Sequence, residues 1–400
     1  MARVAGLLTI EDAQGLILER VRQLPAEMVA LEDATGRVLA EPAVARVDLP
    51  PFPSSAMDGF AIRSADVPAT LPVVARIAAG KPADRRLEAG EAMAIATGGA
   101  VPDGADAVVP IESVVEKDNT IFVEEAIDPG RHVRPRGGDV AAGAEIAGPG
   151  TRLSPPRIGA LAAAGVAEVH CGRRPRVAVL ATGTELRRPG EELRPGELYE
   201  ANGILLETAL RRDGAVVERL PAVEDDEEAH RRALEQGLGA DVLVTTGGVS
   251  VGPHDLVRKV GAGLGVKEVF WRVAVKPGKP ISFSVRGDTL VFGLPGNPVS
   301  TLVGYELFVR PAVLALQGAA NPLPAFQSGR LARPIRRDPG RDELVRARLT
   351  LGPDDARLDP LTGQESHMIV RSAAADALVL VRRGEGELEA GASVPYLALG

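Results

Sequence analysis

Three apolar runs of strand length crowd into residues 241–300, each closed by a Gly- or Pro-rich turn: DVLVTTGGVSVGPHDLVRK, WRVAVKPGKPISF and TLVFGLPGNPVS. Two of these turns run straight into segments with helical spacing. Strand, loop and helix in succession predict a parallel α/β sheet whose ligands gather at the carboxyl ends of its strands. The loops carry a carboxylate at Asp255, ammonium groups at Lys276 and Lys279, and hydroxyls at Ser250 and Ser300. That mixture suits a phosphorylated ligand held with a metal and an anion.

The same alternation extends back to Arg176. RVAVLATGTEL reads as a buried strand with a loop holding Glu185, NGILLETALRRDGA as a helix stopped by Gly214, and VVERLPAVEDD as a strand running into an acidic stretch that contains Asp225. EEAHRRALEQGL is the next helix, and the unit closes at VRPAVLALQG, about residue 318. Helices between successive strands predict a mostly parallel sheet covered on both faces. Glu185, Asp225, Ser250, Asp255 and the Ser300 loop all follow apolar strands, so the pattern places them on one edge.

The first 175 residues read differently. Helical spacing over residues 9–23 begins at a capping box of Thr9 and Asp12, and a second short helical stretch is expected over 31–39. VDLPPFPSSAMDGFAIR follows; its three prolines bar a helix, and Asp58 sits in a turn before Gly59. From about residue 71 to 146 come short β-rich pieces, holding Thr97 before two glycines and Asp139 after two. SPPRIGALAAAG predicts a helix that returns to the first domain, and Cys171 to Pro175 a linker. Beyond residue 320 the chain is β-rich again.

Composition removes several function classes. A formal net charge of −8 and 3% aromatic residues argue against broad nucleic-acid binding by basic patches and stacking. A single cysteine, Cys171, excludes an intramolecular disulfide and a Cys-rich zinc site. The N-terminal apolar patch is too short for a signal segment and no stretch approaches a membrane span, so a soluble, cytoplasmic protein is the expectation. Two familiar motifs also fail. Gly261, Gly263 and Gly265 follow a helix and break the G-x-G-x-x-G spacing, while Ser250 in GVSVG is separated from its strand by TTGG, unlike a nucleophile elbow. Neither Lys276 nor Lys279 sits in a Walker frame.

Taken together, SSAMDGFAIR, ATGGAVPDGADAVV, ATGTEL, TTGGVSVG-x-x-D, KPGKP and GLPGNPVS, in this order, resemble the molybdopterin molybdenumtransferase family, which includes MoeA and the gephyrin E domain. The resemblance spans nearly the whole chain. It implies a multidomain α/β plus β fold: an elongated N-terminal domain (1–46 and 143–174), an inserted β-rich domain (47–142), a central three-layer α/β molybdopterin-binding domain with a mostly parallel sheet (175–320) and a small β-barrel-like C-terminal domain (321–400).

The family takes adenylylated molybdopterin and molybdate, usually with Mg²⁺, inserts molybdenum into the dithiolene and releases AMP. What the resemblance further implies is a homodimer whose site joins the central and C-terminal domains of one subunit to the extended part of the other. Carried over by motif, Asp58, Thr97, Asp139 and Glu185 are expected to be catalytic, Asp225 and Asp255 to hold the metal, and Ser250, Lys276, Lys279, Ser300, Arg346 and Ser366 to bind substrate. Transient contact with the molybdopterin adenylyltransferase is expected; nucleic acid and membrane are not. Gly138 stands where the family commonly has an acid and Asp376 where it usually has Asn. A tungstate-inserting homologue and a non-catalytic scaffold or cofactor carrier on the same fold remain as alternatives.

Overall fold

The computed structural model describes residues 7–223, 226–247, 256–353 and 355–399. Its centre is a six-stranded sheet in the order Val216–Arg219, Arg176–Ala181, Val242–Thr246, Thr289–Leu294, Ser282–Arg286, Lys267–Trp271. The first four strands are mutually parallel, Ser282–Arg286 runs against them, and Lys267–Trp271, antiparallel to Ser282–Arg286, runs with them again. Period-two alternation sends successive side chains to opposite faces. Val177, Val179, Val242, Val244, Leu290 and Phe292 enter one core, and Ala178, Leu180, Leu243 and Val291 enter another. Helix Asn202–Arg212 and the long helix 298–316 cover the first face; helices Glu227–Gly237 and Leu256–Gly263 cover the second.

Helix 298–316 is long and apolar enough to cross a membrane, yet 83% of its most apolar window is buried in the protein, which makes it a core helix. On the same face lies a correction to the sequence grouping of residues 1–46. Helix Ile10–Leu18, capped by Thr9 as expected, packs into the central core through Ile10, Ala13 and Ile17. Leu8 bridges to Val273, and Gln14 Nε2 donates to Leu307 O at 2.9 Å. The apolar stripe was readable; its distant partner was not.

The elongated domain proper is built from strands Ala26–Ala30 and Glu168–Gly172, strands Ala43–Val44 and Glu145–Ala147, and helix Pro155–Ala163. Two local expectations fail here. Residues 31–39 hold a single 3₁₀ turn, Leu31–Asp33, because Gly36 adopts φ +77° and Val38 and Leu39 bridge to Arg152 and Cys171. Cys171 lies in a paired strand and is fully buried, not in a linker.

The inserted domain is a six-stranded sheet ordered Ala107–Pro110, Gly59–Ile62, Ala92–Ile95, Ala69–Ile77, Thr120–Val123, Val115–Lys117. At the C-terminal end, strands Asp342–Leu351, Ala356–Pro360, Gln327–Leu331, Ser393–Ala398 and Ala377–Val381 pair in turn, and the last pairs back with the first, closing a five-stranded barrel. A two-residue strand of the central domain, Val275–Lys276, adds in parallel to the outside of Asp342–Leu351.

Candidate active site

Four chain segments meet at the carboxyl edge of the central sheet. Thr182 N donates to Thr246 O at 3.0 Å, Gly183 N to Val223 O at 3.1 Å, and Gly247 N to Leu294 O at 3.2 Å. The turn after strand Arg176–Ala181 presents Glu185 exposed at this edge. Asp225, Ser250 and Asp255 lie outside the described residues; the described residues that precede them, Val223 and Gly247, belong to the same edge. Among the described residues no group of three metal-ligating side chains occurs.

The lysine loop borders the barrel. Strand pairing sets Lys276 beside Glu343, and Lys276 Nζ lies 3.2 Å from Glu343 Oε1. Gly278 adopts φ +119°, a conformation that residues with a Cβ rarely take, so the turn in KPGKP depends on it. Lys279 is exposed and, among the described residues, has no carboxylate partner. Ile281, just beyond, packs against Gly304 of the neighbouring helix.

That helix begins at Asn297, with Pro298 in its first turn, where the missing N–H does no harm. Ser300 is buried in the same turn. The barrel loop 361–368 reaches over it: Val299 N donates to Ser366 O at 3.0 Å, and Asn297 Nδ2 to Ser366 Oγ at 2.8 Å. Ser366 and Ser300 are thus brought to one helix terminus.

Arg346 has a different place from the one expected. It is fully buried and its five N–H donors are engaged within its own domain: Nη1 with Met368 O at 2.6 Å and Ser372 Oγ at 3.0 Å, Nη2 with Gly363 O at 2.7 Å and Glu365 O at 3.3 Å, and Nε with Gln364 Oε1 at 3.4 Å. Arg346 therefore holds the loop that carries Ser366 from beneath and offers no free donor to a ligand.

Asn202 was missed by sequence reasoning. Its Nδ2 donates to Gly296 O at 2.7 Å, pinning the GLPGNP turn, and its buried Oδ1 has no partner among the described residues. An Asn at the start of a helix reads as a cap, and nothing local signals a contact with residue 296.

A second cluster sits on the inserted domain. Asp58 Oδ1 accepts from Thr97 N at 2.7 Å, and both residues are exposed. Gly59 is required here, since a Cβ would collide with Val109 O in the adjacent strand. Asp139 is exposed on the returning chain, with its N–H donating to Leu49 O at 2.9 Å. Beside it, the Ala142 N–H and the Arg136 guanidinium hold the Asp48 carboxyl below the usual range. Among the described residues no hydrogen bond or ion pair joins this domain to the central or C-terminal one.

The chain is similar to known proteins along most of its length. Family models for the MoeA N-terminal region (domain I and II), a probable molybdopterin binding domain and the MoeA C-terminal region (domain IV) match residues 8–165, 178–315 and 328–399. Molybdopterin molybdenumtransferase 2 of Mycobacterium tuberculosis is 35% identical, with 85% of this chain and 87% of the relative covered. The molybdopterin molybdenumtransferase of Haemophilus influenzae is 32% identical, with 97% and 98% covered. Among solved structures, the molybdopterin biosynthesis moeA protein of Pyrococcus horikoshii superposes with TM-score 0.84 at 28% identity, covering 98% of this chain and all of that one (100%).

Proposed function

Because the chain belongs to the MoeA family of molybdopterin molybdenumtransferases, we propose that the seam between its central sheet and its barrel inserts molybdenum from molybdate into adenylylated molybdopterin, with release of AMP. The observation that supports this reading is that the central domain touches the barrel at two places that carry the expected groups: the lysine loop, where Lys276 pairs with Glu343, and the start of the helix that holds Ser300, where the barrel loop contributes Ser366. Molybdate is a tetrahedral dianion. Fixed cations, hydroxyls and a helix N-terminus are the groups that bind such an ion.

Division of labour follows from the edge. Lys279 and Lys276 orient the oxyanion, Ser300 and Ser366 supply hydroxyl donors, and Arg346 keeps the Ser366 loop in place. Glu185, Asp225 and Asp255 offer oxygen donors of the kind Mg²⁺ takes when it is shared with substrate phosphates. Bound there, Mg²⁺ would neutralise the phosphoanhydride charge. Asp58, Thr97 and Asp139 lie on a separate domain, which supports a homodimer in which the partner's inserted domain completes the pocket. A cytoplasmic location and passing contact with the adenylyltransferase that makes the substrate fit the same reading.

The test mixes protein, Mg²⁺ and adenylylated molybdopterin with and without molybdate and follows AMP. Molybdate-dependent AMP release is expected, and its absence overturns the proposal. Tungstate has nearly the same size and charge, so competition between the two oxyanions decides preference.

A further inference from the structure

We propose that Glu343 sets the charge of the oxyanion pocket: paired to Lys276 across the seam, it keeps a tetrahedral dianion loosely held. The inference rests on the assignment of Lys276 and Lys279 as the oxyanion cations. Its geometric basis is the short strand Val275–Lys276, whose parallel register with Asp342–Glu343 puts a barrel carboxylate directly beside a central-domain lysine. Glu343 is held on its other side by pairing with Val381, and its side chain is 12% exposed, whereas that of Lys276 is 44% exposed. The ammonium is therefore ordered by a nearly buried carboxylate while part of it still faces solvent.

The neighbouring carboxylate does not share this role. Asp342 accepts from Arg382 Nη1 at 2.9 Å and from Arg383 N at 2.8 Å, so its charge is already met on the barrel side. Among the described residues Glu343 has one ion-pair partner, Lys276. Two lysines facing a dianion would match its charge; with Glu343 counted, the pocket has one net positive charge. An oxyanion hydrogen-bonded to Lys276 also comes within a few ångströms of the Glu343 carboxylate, and like charges repel at that range. Weak ground-state grip suits an ion that must leave these donors for the substrate, since binding that persists unchanged to the transition state adds nothing to turnover.

The test measures binding of molybdate and of perrhenate, a tetrahedral monoanion, to the full chain by equilibrium dialysis. The variants are Glu343→Gln, which keeps an acceptor for Lys276 but loses the charge, and Glu343→Asp, which keeps the charge. Glu343→Gln is expected to tighten molybdate about tenfold and perrhenate about threefold, because the Coulomb energy scales with ligand charge. Glu343→Asp is expected to stay close to the wild type. A merely structural role would move both anions alike. Equal shifts, no shift, or weaker molybdate binding in Glu343→Gln overturn the proposal on its own. If the wild-type chain takes up neither anion, the oxyanion assignment falls and this proposal falls with it.

Discussion

Asn297 Nδ2 donates to Ser366 Oγ across 2.8 Å, and two residues on, Val299 N donates to the Ser366 carbonyl across 3.0 Å. One residue of the barrel loop is thus gripped twice by the turn that starts helix 298–316. Together with the pairing of Val275–Lys276 with Asp342–Glu343, the grip joins the central domain to the barrel, so the geometry of a ligand between them depends on it.

Ser366→Ala removes the hydroxyl and leaves the carbonyl contact. Loss of one partly exposed hydrogen bond is expected to cost about 1 kcal/mol of stability or less. Turnover is expected to fall about tenfold, because small misalignments of binding groups weigh heavily on rate. Urea unfolding and molybdate-dependent AMP release on the same preparation separate the two effects. A large stability loss with unchanged turnover would assign Ser366 to structure alone.

Arg346→Lys tests the scaffold beneath that loop. A lysine has three donors and no planar fork, so at least two of the acceptors at Gln364, Met368, Ser372, Gly363 and Glu365 lose their partner inside the protein. The expected cost is about 2–4 kcal/mol. Backbone hydrogen exchange over residues 361–372 should rise before the rest of the barrel opens. Unchanged exchange there would contradict the role given to Arg346.

Much of this was legible in the chain. Alternating strand residues and interposed helices told of the central sheet, and the Gly- and Pro-rich turns after its strands told of the edge where Glu185, Lys276, Lys279 and Ser300 stand. Periodicity reports which face of an element is apolar and is silent on what covers it. Helix Ile10–Leu18 was therefore recognised as amphipathic but grouped with the wrong partner, and Val275–Lys276 gave no sign of pairing with a strand some 67 residues later. Arg346 failed for a related reason. An arginine in a strand motif reads as a surface cation unless the carbonyls that bury it are known, and those belong to a loop about 20 residues away.

The Asp213 network makes a prediction with a definite pH sign. Tyr305 Oη donates to Asp213 Oδ2 at 2.7 Å, Arg212 Nη2 at 2.9 Å and Arg310 Nε at 3.1 Å, while Arg152 of the elongated domain lies 3.5 Å from Oδ1. Burial pushes the Asp213 carboxyl up, but the Tyr305 hydroxyl and the guanidinium groups of Arg212 and Arg310 more than offset it, leaving it below the ordinary range. A carboxyl depressed in the folded state stabilises fully above its unfolded value of about 3.9 and loses that contribution as pH falls through the folded value. Asp213→Asn should therefore cost about 3 kcal/mol at pH 7 and at pH 5. The gap to the wild type should narrow as pH drops below about 4. Urea midpoints across this range check it; a penalty that is constant down to pH 3 would show that packing, not charge, dominates.

Separation of the two polar clusters gives the sharpest test of assembly. Asp58 and Thr97 sit together on the inserted domain, Lys279 on the central one, and among the described residues no polar contact joins those domains within a chain. If the partner's inserted domain completes each pocket, a chain carrying Asp58→Asn and a chain carrying Lys279→Ala each build defective pockets when pure. Asp58→Asn keeps an acceptor for the Thr97 amide, so the fold of that turn should survive. In a mixed dimer purified through two different tags, one pocket draws both defects and the other draws none. The mixed dimer should then show about half the wild-type turnover per dimer, as two-fold symmetry requires. Were both clusters supplied by one chain, every pocket in the mixed dimer would carry one defect and no activity would return.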